Sequence, residues 1–424
     1  MKSKIKNKDE CLKIFQIEIP YEHVKKTAEE VYRSIRKIAK IPGFRPGTVP
    51  QDLLEKHYSN DAREETLKRL IPEGYEKALD DHKVAPIGFP RIHNIGFEIG
   101  KPLTFEAHVD VKPNVKLKNY KGIKVDKKRI SVSAEEVSEA VSRLQNMHSR
   151  YSDVIRPVKK DDYAVCDVEA FIDGKPITKK NKNMWIMADK EASLLGLGEH
   201  LIGLEKGQSK EIDTVLPENY PDKKYAGKSA RFNVTLNEVK EKSLPELNDS
   251  FAKTLNMESM DLLKTEIESQ LFSRKENNLK IGMKNEIIER LLKDNKFLVP
   301  ESIVARQKEV FIKRLESELI EKGIKKEDAD KKIKELDSKI TEDARDKVRL
   351  YFILDAIAEK EKVGVREEDV NASLKAIADS AGQKPEDVRN YYEKENLLDG
   401  LKEEIKEDKA LEFLLKEADI VEDK

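Results

Sequence analysis

Residues 11–19, CLKIFQIEI, roughly alternate apolar and polar side chains with a period of two, as a half-buried strand does. Beyond Pro20 the period lengthens: Val24, Ala28, Val31, Ile35 and Ile38 recur at steps of four and three. That spacing predicts a helix with one apolar face, and Lys25, Lys26, Arg33, Arg36, Lys37 and Lys40 fall on its outer side. The next ten residues, IPGFRPGTVP (41–50), contain Gly43, Gly47, Pro42, Pro46 and Pro50, which forbid regular structure and predict an exposed loop. Helical patterning resumes from Gln51 to Leu79. Strands follow between Ile92 and Val111, among them the alternating LTFEAHVDV. Residues 1–112 therefore read as one α+β domain.

Residues 113–130 are a connector rich in Pro and Lys. Ser133 and Glu136 have the spacing of a capping box, and Val137, Ala140, Val141, Leu144 and Met147 give an amphipathic helix ending near Tyr151. Residues 113–156 are thus a linker and arm helix. From 157 to 243 the pattern is of short strands, with Asp173-Gly174 a hairpin signal after AVCDVEAFI and ARFNVTLNEV a closing strand. From 244 to 424 helical periodicity dominates, interrupted at Pro300 and near Gly323. VRLYFILDAIA (348–358) is the most apolar helix, and Ile333, Leu336 and Ile340 form one stripe in a charged, solvated segment. The fold class is multidomain α+β: an N-terminal α+β domain, a β-rich middle domain and an all-α C-terminal domain with long helices.

Composition narrows the chemistry. Charged residues make up 38% of the chain, against roughly 25% in ordinary globular proteins, yet the net charge is -1 and aromatics are only 6%. Long helices with charged outer faces suit those figures, and no global field favours nucleic acid or membrane. Cys11 and Cys166 are far apart in the sequence, so neither a disulfide framework nor a zinc site is expected. The start, MKSKIKNKDE, lacks the apolar run of a secretory signal, and no stretch approaches the ~18 apolar residues of a membrane span. A cytoplasmic protein without a membrane partner is expected, in which the Asn-x-Ser/Thr triplets at Asn233, Asn248 and Asn371 are not glycosylated. GxSxG, HExxH, Walker and GxGxxG motifs are absent, and the seven histidines form no ligand pair at helical spacing. No metal or cofactor is expected.

The 41–50 loop is where the sequence turns specific. Phe44 beside Arg45, flanked by Gly43 and Gly47, suits an aromatic and arginine pair presented to a partner. Spacing alone equally allows Phe44 to fold back under its own loop.

GFRPGTVP closely resembles the GFRxGKxP signature of the bacterial trigger factor family, ribosome-associated chaperones. Further similarity lies in DGKPI, in LPENY followed by AGKSARFNV, in LPEL at 244–247, in VPESIVARQ and in DKALEFLL, so the resemblance covers essentially the whole chain. It implies an FKBP-like middle domain. It also implies docking on the large ribosomal subunit near the exit tunnel through Gly43, Phe44, Arg45, Pro46, Gly47 and Thr48. Thr48 departs from the family's lysine; a lost cation weakens phosphate contact, for which Arg36, Lys37 and Lys40 are the candidate compensation.

FKBP-like proteins isomerise prolyl bonds by desolvating the amide in an aromatic pocket, against a barrier of about 18–20 kcal/mol. Aligned through VCDVEAFIDG, LLGLGEHLIG, LPENY and ARF, the pocket positions here hold Val168, Ile177, Leu197 and Leu216, and only Tyr220 and Phe232 keep aromatic character. Leu195 stands where the family's Pro-Gly begins, and Trp185 and Phe171 are candidate substitutes. Weak isomerase activity is expected. The C-terminal helices imply a cradle for nascent and unfolded polypeptides, for which Ile312, Leu315, Leu319, Tyr351, Phe352 and Phe413 are candidate lining residues. The resulting reading is an ATP-independent chaperone that aids folding and export. Its alternatives are a prolyl isomerase to which the helices deliver substrate, and a ribosome-independent holdase that is a homodimer when free.

Overall fold

The chain opens on a strand that its sequence barely signals, β1 (Lys2–Asn7). Lys2, Lys4 and Lys6 face solvent and Ile5 is its one partly buried aliphatic, so a charged edge strand hides the usual alternation. The structure, a computed structural model, describes all residues except 46, 99, 178–180, 190–193, 218–219, 221–223 and 423–424. β1 pairs with β2 (Leu12–Ile19), placing Ile5 opposite Phe15. The helices α1 (Tyr21–Ile38) and α2 (Gln51–His82) follow, then β3 (Arg91–Gly96) and β4 (Leu103–Asp110). The four strands form an antiparallel sheet in the order β1-β2-β4-β3. Phe15, Ile17, Ile19, Leu103 and Phe105 bury one face against Val24, Leu70 and Ala78 of the helices.

Gly74 lets α2 approach this sheet closely. A Cβ there would lie 2.9 Å from Ile19 Cδ1 and 3.3 Å from Phe105 Cζ, which explains a residue so poor in helix propensity at a buried helical position. One expected core residue is displaced: Ile38 is 75% exposed. The chain leaves helical geometry at Ala39 (φ -57, ψ 130), whose side chain takes the buried place.

After the short β5 (Lys124–Lys127), α3 (Ala134–Met147) starts with the anticipated capping box. Glu136 N donates to Ser133 Oγ at 3.3 Å and Ser133 N to Glu136 Oε2 at 2.9 Å. β6 (Arg150–Val154) follows directly and pairs with the tail of a later strand, so the helix stops short of Tyr151. The second sheet comprises β6, β7 (Tyr163–Ile172), β8 (Lys175–Pro176), β9 (Asn181–Met187), β10 (Ser209–Val215) and β11 (Ser229–Ser243). Asp173 (φ 51) and Gly174 (φ 73) form the two-residue hairpin turn, with Ile172 opposite Lys175. Even-numbered side chains of β7, from Ala164 to Ile172, point into the core with Phe232, Val234 and Leu236 of β11.

The remainder is helical: α4 (Asp249–Thr254), α5 (Met260–Asp294), α6 (Glu301–Glu321), α7 (Lys326–Glu335), α8 (Asp337–Glu361), α9 (Glu367–Ala381), α10 (Pro385–Lys394) and α11 (Leu398–Lys416). A short β12 (Asp419–Glu422) ends the described chain. Ile333 and Ile340 are buried, but Leu336 interrupts the charged stretch, which folds as two helices rather than one.

The chain divides into two compact units, residues 1–126, 283–320 and 326–421 in one, and 127–282, 321–325 and 422–424 in the other. In the first, Ile87 and Val115 pack against Val299, Val304, Val348 and Phe352, so N-terminal and C-terminal segments share a core. In the second, Val141 of α3 packs with Phe251, Leu263 and Ile267, and Lys275 Nζ donates to Ser131 O at 2.7 Å. Among the described residues no helix is long and apolar enough to cross a membrane.

Candidate functional site

Two tight turns build the loop between α1 and α2. Phe44 N donates to Ile41 O at 3.1 Å, with Pro42 and Gly43 (φ +89) at the central positions, the residue pattern of a type II turn. Thr48 N donates to Arg45 O at 3.0 Å, and Gly47 has φ +93. A Cβ at either glycine would meet nothing within 4 Å, so the demand for glycine is torsional rather than steric. Thr48 Oγ1 adds a bond to Arg45 O at 2.8 Å, which a lysine could not make. Gly47 N donates to Arg36 O at 2.8 Å and ties the second turn to the last turn of α1.

The base of the loop is buried. Ile41 and Val49, read from sequence as part of an exposed segment, pack with Ala39 and Leu54 in a small cluster, so the exposed residues between them, among those described, narrow to 42–45 and 47–48. These two apolar residues clamp the loop at both ends. Tyr58, where α2 kinks (φ -123, ψ 22), packs against this cluster and accepts a bond from Lys40 N at 3.1 Å. Among the candidate compensating cations, Arg36 is turned inward: its Nη2 donates to Gln51 Oε1 at 2.7 Å, while Lys37 and Lys40 are exposed. Phe44 is 41% exposed and Arg45 is exposed, so the aromatic ring is not tucked away. Gly43, Gly47 and Thr48 are exposed with them; Pro46 lies outside the described residues.

In the second sheet, Val168, Leu197, Leu216 and Phe232 are all buried in one hydrophobic cluster, with Ile177 and Tyr220 partly buried against it. The six positions therefore come together, but as a filled, mainly aliphatic interior at whose margin Ile177 and Tyr220 stay partly exposed. Trp185 and Phe171 do not substitute for the lost aromatics. Trp185 lies opposite Val165 on the other face of the sheet, edge-on to Tyr151 at 5.4 Å between centroids. Phe171 lines a polar cleft with Asp173, Glu211, Asp213, Arg231 and Asn233. Neither cysteine is a ready nucleophile. Burial first, then Asp9, Glu10 and Asp110, push the Cys11 thiol up to about 11. Burial and then Asp167 push Cys166 up to about 12.

Of the candidate cradle residues, Leu319 and Phe352 are buried between helices, whereas Ile312, Leu315, Tyr351 and Phe413 are half-buried. The first unit exposes other apolar side chains, notably Leu298, Val310 and Ile320. Helical periodicity cannot distinguish these from core positions, since both follow the same repeat.

Comparison with known proteins converges on one family. A model described as bacterial trigger factor protein (TF) matches residues 1–144, and one described as bacterial trigger factor protein (TF) C-terminus matches 259–416. A trigger factor from Geotalea uraniireducens is 31% identical over 428 residues, covering 100% of this chain and 99% of its own. One from Bacillus mycoides is 32% identical over 423 residues, covering 96% and 97%. One from Pelotomaculum thermopropionicum is 31% identical over 418 residues, covering 97% and 95%. A solved structure described as "Promiscuous Substrate Recognition in Folding and Assembly Activities of the Trigger Factor Chaperone" shares the fold at a TM-score of 0.52. Its identity is 19%, with 98% of this chain and 99% of that chain covered.

Proposed function

The chain belongs to the bacterial trigger factor family and is a ribosome-associated chaperone; from that premise we propose that residues 43–48 are its docking element on the large subunit near the exit tunnel. One observation carries this: Phe44 and Arg45 stand exposed at the tip of two consecutive turns whose base, Ile41 and Val49, is buried. A clamped base removes much of the ordering entropy that a free loop would lose on binding. The arginine meets a negative surface of protein or RNA phosphate, and the phenylalanine fills an apolar recess. Residues 1–112 are assigned to ribosome binding, 113–156 to the linker and arm helix, 157–243 to an FKBP-like domain and 244–424 to the cradle. The exposed Leu298, Val310 and Ile320, set among charged neighbours, supply the weak apolar contacts that hold a nascent chain without ATP. This work belongs in the cytoplasm.

Co-sedimentation of the purified protein with ribosomes across a salt series tests the assignment. Binding that weakens with salt is expected; no binding by the wild type would put the free holdase in its place. Thr48→Lys is expected to tighten binding at low salt and to steepen log K against log salt by about 0.7–0.9, the contribution of one further phosphate contact. An unchanged slope would mean that position 48 does not face phosphate. The backbone bond from residue 48 to Arg45 O survives the change, so the turn should persist.

The FKBP-like domain is proposed as a slow prolyl isomerase. Its interior is largely filled by Val168, Leu197, Leu216 and Phe232, which leaves Ile177 and Tyr220 to contact the ring. In a proline-peptide assay, kcat/KM should be low, and Tyr220→Ala should lower it about tenfold further, the worth of one aromatic contact of roughly 1.4 kcal/mol. Equal rates for wild type and variant would remove Tyr220 from the site.

A further inference from the structure

The N-terminal sheet covers one face with helices, and the other is partly open, closed at one end where the buried Asp110 accepts a bond from Ser302 Oγ of α6. On that open face, two histidines 15 positions apart in sequence meet. His93 of β3 and His108 of β4 have ring centroids 4.5 Å apart and planes tilted by 53°. His93 is opposite Glu106 and His108 opposite Arg91 in register, so the two rings are diagonal neighbours on adjacent strands. Neither imidazole has a hydrogen-bond partner among the described residues.

The separation is informative. With metal–nitrogen bonds of about 2.0–2.1 Å and roughly 1.2 Å from nitrogen to ring centre, rings sharing a cation at a right angle have centres about 4.6 Å apart; a tetrahedral angle needs about 5.3 Å. The observed 4.5 Å fits the right angle. We propose that His93 and His108 form a two-imidazole site for a divalent first-row metal of tetragonal preference, Cu2+ or Ni2+, with water completing its coordination.

The surroundings explain why the site has two protein ligands. Glu106, the nearest carboxylate, is held by Gln16 Nε2 at 2.9 Å and Asn94 Nδ2 at 2.7 Å, and Asp110 is paired with Arg91 at 3.3 Å. Among the described residues no group of three or more His, Cys, Asp or Glu converges on a metal position. A bound ion would join the edge strand β3 to β4 where their register is irregular, between His93 and Gly96.

The test uses the full chain without an affinity tag, titrated with CuCl2 and separately with NiCl2 and ZnCl2 by calorimetry, and the Cu2+ form examined by electron paramagnetic resonance. One equivalent should bind, Cu2+ most tightly, with two equatorial nitrogens in the spectrum. His93→Gln and His108→Gln should each weaken Cu2+ binding at least tenfold and reduce the nitrogen count. His93 is exposed and His108 half-buried, and circular dichroism should show both variants folded. Absence of a one-equivalent site, or binding that is unchanged in both variants because other histidines supply it, would overturn the proposal.

Discussion

Replacing Phe44 and Arg45 together by alanine is expected to abolish co-sedimentation with ribosomes and to leave thermal unfolding unchanged. Interface hot spots of this chemistry are worth at least about 2 kcal/mol each, or roughly thirtyfold in affinity. Two neighbours on one loop need not add fully, but a loss of several hundredfold should be plain in sedimentation. The fold should be spared because the exposed tip, Phe44 and Arg45, is separate from the cluster of Ala39, Ile41, Val49 and Leu54 that secures the loop. The single variants divide the effect. Arg45→Ala should lose mainly the salt-dependent part of binding, and Phe44→Ala the part that persists at high salt. Ribosome binding by the double variant equal to that of the wild type would reject the docking role of this loop.

How much of this was readable before the structure depended on whether a residue's role follows from local rules. The turns at Pro42-Gly43 and Asp173-Gly174, the capping box of α3 and the long amphipathic helices rest on torsional preference or periodicity, and each stands in the structure. β1 was illegible because its alternation is carried by lysines, with Ile5 as its single aliphatic. The inward turn of Arg36 and the bond from Lys40 N to Tyr58 Oη join residues 15 and 18 positions apart, and no local rule predicts such pairs. Phe171 is a different case, since its parity was available. It stands three positions from Val168 on one strand, and an odd step on a strand reverses the face, so a shared pocket was already excluded. Trp185 needed the register of β9 against β7, which the sequence does not contain. The meeting of His93 and His108 likewise depends on strand pairing and not on spacing.

Asp162 carries the largest stability effect expected in the second sheet. Its carboxylate is buried at the start of β7 and accepts a forked pair from Arg156, Nη1 to Oδ2 at 2.6 Å and Nη2 to Oδ1 at 3.1 Å. Lys159 N adds a bond at 2.8 Å, and Arg156 continues to Glu241 of β11 at 2.8 Å. Burial alone would raise the Asp162 carboxyl, but the guanidinium and the Lys159 amide outweigh it and hold the group below the usual carboxylate range. A carboxyl lowered in this way contributes stability above its unfolded value of about 3.9, and that contribution disappears as pH falls toward the folded value. Removing one partner of such a pair leaves the other charge poorly compensated, at about 3–5 kcal/mol. Asp162→Ala should therefore lower the melting temperature of this domain by roughly 10 °C or more. It should also remove the part of its acid destabilisation that sets in below about pH 4. Calorimetry of the full chain, with hydrogen exchange across β7 identifying the transition, measures both. Because ribosome docking is proposed for residues 43–48, co-sedimentation should survive Asp162→Ala even where the second sheet has melted. An unaltered melt and acid limb would show that the fork is dispensable, while loss of ribosome binding in this variant would tie docking to more than the loop.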